Sequence, residues 1–114
     1  MKKILIIEDE EDIRRPFQIF LEREGYEVWS TGNLTDFEEA LDQVNPDLGI
    51  VDLECPQASV GLAAQAMLRK QGIRVLGMSG AARPEGFGDE FLQKPFGLPE
   101  LLAAVRRLFG EEAD

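Results

Sequence analysis

No histidine occurs among the 114 residues of this chain, and cysteine, tryptophan and tyrosine occur once each. Without histidine, His-ligated metal sites and Ser-His or Cys-His catalysis are excluded. The one thiol, Cys55, has no partner for an internal disulfide, which suits a reducing cytoplasm. Positive charge is also scarce: 12 Lys and Arg stand against 22 Asp and Glu, a formal charge of −10. A surface for nucleic acid or anionic lipid needs a basic patch to neutralise phosphates, so neither partner is expected. No apolar run approaches the roughly 20 residues of a membrane span. The opening Met1-Lys2-Lys3-Ile4-Leu5-Ile6-Ile7 breaks at Glu8, short of the ~7–15 apolar residues of an export signal. What is present is enough chain for one domain and 44% hydrophobic residues for its core. The expectation is an acidic, cytoplasmic, single domain over residues 1–114.

Apolar runs and helical stripes alternate along the chain. Lys3 to Ile7 reads as a strand buried on both faces, followed by the acidic run Glu8 to Asp12. Ile13, Phe17, Phe20 and Leu21 then recur at helical spacing, with Gly25 as the stop. Tyr26 to Ser30 is a second strand, and Phe37, Ala40, Leu41 and Val44 mark a second helix closed by Asn45-Pro46. Leu48 to Leu53 is a third strand, Val60 to Lys70 a third helix, Ile73 to Met78 a fourth strand and Glu90 to Gln93 a short fifth. Leu98, Leu101, Leu102, Val105, Leu108 and Phe109 form the stripe of a last helix. Such alternation predicts right-handed βαβ units and a doubly wound parallel sheet with helices on both faces. Two places fit less well. Pro16 falls inside the first helix, where it removes a hydrogen bond and predicts a kink or a later helix start. Residues 80–89, with Gly80, Pro84, Gly86 and Gly88, are too few and too broken for an ordinary crossover, so the helix there should be shortened or missing.

In an open parallel sheet, ligands bind at the carboxyl ends of the strands. Those ends carry Glu8 and Asp9, Asp52, Ser79 and Lys94. Carboxylates brought together repel one another and hold protons unless a cation sits between them, and a hard divalent ion such as Mg²⁺ resolves that conflict. Asp52 interrupts the apolar run Leu48-Gly49-Ile50-Val51, where an unpaired carboxylate is costly. Glu10, Glu11 and Asp12 read instead as acids complementing a helix N-terminus.

Four segments, in order, make a family resemblance specific. They are Ile4-Leu5-Ile6-Ile7-Glu8-Asp9-Glu10, Asn45-Pro46-Asp47-Leu48-Gly49-Ile50-Val51-Asp52-Leu53 with Pro56 following, Val75-Leu76-Gly77-Met78-Ser79-Gly80, and Phe91-Leu92-Gln93-Lys94-Pro95-Phe96. From Lys3 to about Phe109 the chain resembles the receiver domain of bacterial two-component response regulators. The resemblance implies a flavodoxin-like receiver fold and a phosphoacceptor, Asp52, served by a sensor histidine kinase or histidine phosphotransfer protein. It implies Mg²⁺ held by Asp9 and Asp52, with Glu8 assisting and the backbone carbonyl of Glu54 completing the set. Lys94 and Ser79 would each meet a phosphoryl oxygen, Phe91 would be an aromatic switch residue, and Lys94-Pro95 a cis peptide. A signalling role toward a downstream protein target, without enzymatic turnover, follows from the same likeness.

The chain departs from that family in places. Gln57-Ala58-Ser59-Val60 lengthens the loop between Pro56 and Gly61 by one residue, and Glu54 adds a carboxylate expected to alter hydrolysis of the acyl phosphate. The short segment 80–89 falls at the family's fourth helix, so the output surface is expected to differ. Ile19, with Arg14 and Gln18 as neighbours, is a candidate exposed contact for the phosphodonor protein. Two rivals stand beside a stand-alone phosphorylated receiver. One is a receiver-fold binding module that works without phosphorylation. The other is a Toprim-like Mg²⁺-dependent nucleic-acid enzyme using Glu8, Asp52 and Glu54, which leaves Ser79 and Lys94-Pro95 unexplained. A flavin binder of the same sheet order is set aside, because Glu8 to Asp12 would repel a phosphate.

Overall fold

The structure is a computed structural model that describes residues 1–54, 58–85, 87 and 89–111. Cys55, Pro56 and Gln57, which carried expectations above, lie outside the described residues. Five strands and four helices alternate: β1 (Lys3–Ile7), α1 (Glu11–Arg23), β2 (Glu27–Thr31), α2 (Leu34–Val44), β3 (Leu48–Asp52), α3 (Ala58–Lys70), β4 (Arg74–Ser79), β5 (Glu90–Gln93) and α4 (Leu98–Phe109). All strand pairs are parallel, in the order β2-β1-β3-β4-β5. The chain thus has the doubly wound receiver architecture expected of it, with strand ends displaced from the reading by about a residue.

Side chains of a strand alternate between faces, and here both faces are apolar. Ile4, Ile6, Leu48, Ile50, Leu76 and Met78 pack under α1 and α4, against Phe17, Leu21, Leu101, Ala104 and Val105. Leu5, Ile7, Val51 and Val75 face the other way, against Phe37 and Leu41 of α2 and Ala64 and Leu68 of α3. Gly49 belongs to that second face: a Cβ there would stand 2.2 Å from a methyl of Leu68, so the strand leaves room for the helix's leucine. Pro16 does lie within α1, and the helix runs on through it from Glu11 to Arg23. Its ring sits on the exposed side, and the bond forgone is the one to the Asp12 carbonyl.

Between β4 and β5 the described residues contain no helix, only a turn closed by Phe87 N–H to the Pro84 carbonyl at 3.2 Å. The Phe87 and Leu53 side chains cover the sheet there. The Phe87 ring joins the α2–α3 face and fills the space that Gly77 leaves open on β4, where a Cβ would lie 2.7 Å from the ring. The rings of Phe87 and Phe91 meet edge to face at 6.0 Å, and the guanidinium groups of Arg69 and Arg83 lie 5.4 and 5.9 Å from the Phe87 centroid. The loop is tied down further by Val75 N–H, which donates to Asp89 at 2.9 Å, and by an Arg69–Asp89 ion pair at 3.3 Å.

Candidate functional site

Strand register brings the chemistry together. Ile7 lies beside Val51, Asp52 beside Met78, and Ser79 beside Gln93, so Glu8, Asp52, Ser79 and Lys94 emerge at one level of the sheet edge. Two ladder bonds continue past the strands and hold that edge: Glu8 N–H to the Thr31 carbonyl at 3.0 Å, and Lys94 N–H to the Ser79 carbonyl at 2.7 Å. The Lys94-Pro95 peptide is cis, as the resemblance implied.

Glu8, Asp9 and Asp52 each offer a carboxylate oxygen within 4.8 Å of the others. Glu8 is fully buried and Asp52 5% exposed, whereas Asp9 faces solvent. Burial, reinforced by the charge of Asp52, pushes the Glu8 carboxyl up to about 7 against the pull of Lys94 and of the Glu10 N–H. Lys94 bridges the two buried acids, its Nζ 2.9 Å from Glu8 Oε1 and 3.3 Å from Asp52 Oδ2. Burial alone would lower its ammonium, but the hydrogen bond and charge of Glu8, with Asp52, outweigh that and hold it above the usual lysine range. The oxygen donors, their crowding and a carboxyl that resists ionisation without a cation fit a small hard ion such as Mg²⁺.

Several features organise this edge that the sequence did not announce. Arg14 donates to the carbonyls of Glu8 and Asp9, at 3.2 and 3.4 Å, and so fixes the β1–α1 loop. Gln18 donates to the Val28 carbonyl and accepts from Ser30, tying α1 to β2. The polar ends of both side chains are thus engaged with the β1–α1 loop and β2. Ile19 is 41% exposed and shares its surface with Glu11, Asp12, Arg15 and Pro16. Ala58 and Ser59, read as loop, open α3 two residues ahead of the Val60 start expected. Gly61 of that helix lies so close to Leu53 that an added Cβ would stand 2.7 Å from its backbone, which seats the chain just after Asp52.

Ser79, Glu54 and Phe91 also take definite positions. Ser79 is 3% exposed, and its hydroxyl donates to Glu54 Oε1, which also accepts from Gly80 N–H at 2.8 Å. Glu54 N–H donates to Asp52 Oδ1 at 2.9 Å. Among the described residues the carboxylate cluster comprises Glu8, Asp9 and Asp52, so the Glu54 side chain is engaged elsewhere than the Toprim-like reading requires. Phe91 is half-buried against Phe87. Glu54 and Ser79 line an open groove of about 830 Å³ together with Leu62, Ala66 and Phe87.

The response regulator receiver domain model matches residues 4–106. The alkaline phosphatase synthesis transcriptional regulatory protein PhoP of Bacillus subtilis is 33% identical over 94% of this chain and 48% of its own length. The transcriptional regulatory protein YxdJ of the same organism is 30% identical over 99% of this chain and 54% of its own length. The chain therefore spans about half the length of the curated relatives it matches. Those relatives are transcriptional regulators, so the expectation of no nucleic-acid contact, drawn from the charge of −10, concerns the surface of these 114 residues alone. No helix among the described residues is long and apolar enough to cross a membrane. The response regulator TrrA of Thermotoga maritima, solved in complex with Mg²⁺ and BeF, superposes with a TM-score of 0.81 at 30% identity, covering 95% of this chain and 99% of that one. Chemotaxis protein CheY4 of Vibrio cholerae shares the fold with a TM-score of 0.80 at 23% identity, covering 95% of this chain and 98% of that one.

Proposed function

The chain belongs to the response regulator receiver family, and from that premise we propose that Asp52 accepts a phosphoryl group at a Mg²⁺ site formed by Glu8, Asp9 and Asp52. The observation that carries this reading is the meeting of those three carboxylates within 4.8 Å, with Lys94 bridging the two buried ones. The donor is a phosphohistidine of a sensor histidine kinase or a histidine phosphotransfer protein, or a small phosphorylated molecule. An Asp52 carboxylate oxygen attacks phosphorus, forming the acyl phosphate. The phosphorus–nitrogen bond breaks, its electron pair stays on the imidazole nitrogen, and that nitrogen takes up a proton.

Bound by the three acids and the Glu54 carbonyl, Mg²⁺ would offset charge on the transferring group. The protein's own part is positioning and electrostatics. Lys94 shifts its ammonium from the two carboxylates toward a phosphoryl oxygen, whose negative charge favours the protonated form there. Ser79 donates its hydroxyl to a further oxygen. Phe91 responds by changing rotamer, and the consequence reaches a downstream protein target. The binding-module reading draws on one observation, the absence of a helix among the described residues between β4 and β5.

Intact-protein mass after incubation with Mg²⁺ and phosphoramidate or acetyl phosphate tests the proposal. One phosphoryl group is expected, dependent on Mg²⁺ and absent in Asp52→Asn. No gain in protein shown separately to bind Mg²⁺ would favour the binding module, and a gain in both proteins would mean another acceptor.

A further inference from the structure

Ser79 has one proton to donate. In the resting chain that proton goes to Glu54, whose Oε1 also takes the Gly80 N–H at 2.8 Å. One lone pair of Ser79 is occupied too, since its Oγ accepts from Ala81 N–H at 3.0 Å. With the residue 3% exposed, water gives the hydroxyl little alternative. The Ser79 hydroxyl and then the Gly80 N–H hold the Glu54 carboxyl below the ordinary carboxylate range, the mark of a charged acceptor well served by its donors. Glu54 is also tethered to the acceptor itself, because its backbone N–H donates to Asp52 Oδ1 at 2.9 Å. One residue thus grips the phosphoacceptor through its backbone and Ser79 through its side chain.

We infer that Glu54 is an internal competitor of the phosphoryl group, its carboxylate taking the Ser79 proton and the Gly80 N–H until phosphorylation of Asp52 displaces it. The inference rests on Asp52 being the acceptor. A phosphoryl group there needs the same hydroxyl proton, and its negative charge repels the carboxylate that holds it. Phosphorylation then breaks two charge-assisted hydrogen bonds as it forms its own. Glu54 is a positioning residue: it acts through Ser79 and sets how readily the site settles around its occupant.

Two effects of the carboxylate must be separated. Charge repulsion through space would oppose an anion at Asp52 whatever residue stands at 79. Competition for a proton requires Ser79. The test is a titration of the full chain with beryllofluoride in saturating Mg²⁺, followed by ¹⁹F NMR of the bound species, in wild type, Glu54→Gln, Ser79→Ala and the double variant. Glu54→Gln is expected to lower the half-saturating concentration about tenfold, the scale of one charge-assisted hydrogen bond, when Ser79 is present. In the Ser79→Ala background the same change is expected to give about twofold or less. Equal fold-changes in the two backgrounds, no change in either, or weaker binding in Glu54→Gln would each overturn the inference. Should Ser79→Ala fail to fold, wild-type protein still decides: the Gly80 amide proton must shift on saturation as it loses the carboxylate, and an unmoved resonance refutes the competitor. Wild-type protein that takes no beryllofluoride with Mg²⁺ defeats the phosphoacceptor reading itself, and the inference with it.

Discussion

Glu8 should make the metal-free protein less stable as pH rises, and the size of the effect follows from its burial. Its carboxyl titrates near 7 in the folded chain, raised first by burial and then by the charge of Asp52, against 4.5 for an ordinary glutamate. Between those values the folded chain holds a proton that the unfolded chain has released. Stability is therefore full below about pH 4.5 and falls as pH climbs through 7, by about 3 kcal/mol in all. Urea unfolding in EDTA at intervals from pH 5 to pH 8 measures it, with Glu8→Gln as the reference that cannot titrate. The difference between the two proteins isolates Glu8 from the general self-repulsion of a chain carrying −10. Mg²⁺ should reverse the trend, because it takes the ionised form: calorimetry in buffers of different ionisation heat should find about half a proton released per ion at pH 7, and almost none at pH 8.5. Parallel pH profiles for wild type and Glu8→Gln would refute this account, as would metal binding that releases no proton at pH 7.

Phe87→Ala should lower stability by about 2 kcal/mol, less than a fully buried phenylalanine because the ring is half-exposed, and the midpoint of urea unfolding reads it. An unchanged midpoint would mean the ring does not substitute for the missing helix. Gly61→Ala puts a methyl 2.7 Å from the Leu53 backbone. It should cut phosphoryl acceptance at Asp52 by about tenfold or more while the protein stays folded, measured as the initial rate of mass gain with phosphoramidate.

Much of this molecule could be read without coordinates, and the parts that could were local or periodic. Ile4-Leu5-Ile6-Ile7 and Leu48 to Val51 announce strands covered on both faces because such strands have no polar side to show. Gly25, Asn45 and Gly110 mark helix ends because their backbones enter the left-handed region at φ 100°, 54° and 68°. The short, Gly- and Pro-broken span 80–89 signalled a helix shortened or missing there, and the described residues contain none. Glu8, Asp9, Asp52, Ser79 and Lys94 could be gathered on one edge because every parallel strand presents its carboxyl end there.

Only the tertiary structure decided what each of those side chains meets. Adjacent acids look alike in a sequence, yet the fold buries Glu8 completely and leaves Asp9 in solvent, which gives one of them a carboxyl near 7. Nothing in the sequence of α1 says that Arg14 bonds the carbonyl of Glu8 or that Gln18 bonds that of Val28. Gly77 carries no hint of Phe87, ten positions on, whose ring it accommodates. Glu54 stands 25 residues from Ser79 in the chain, and the β3–β4 register alone brings its carboxylate to that hydroxyl. Patterning within a segment determines where strands and helices form, since burial and backbone geometry act over a few residues. Partners separated by a crossover are set by sheet register and packing, which exist only once the whole chain has folded.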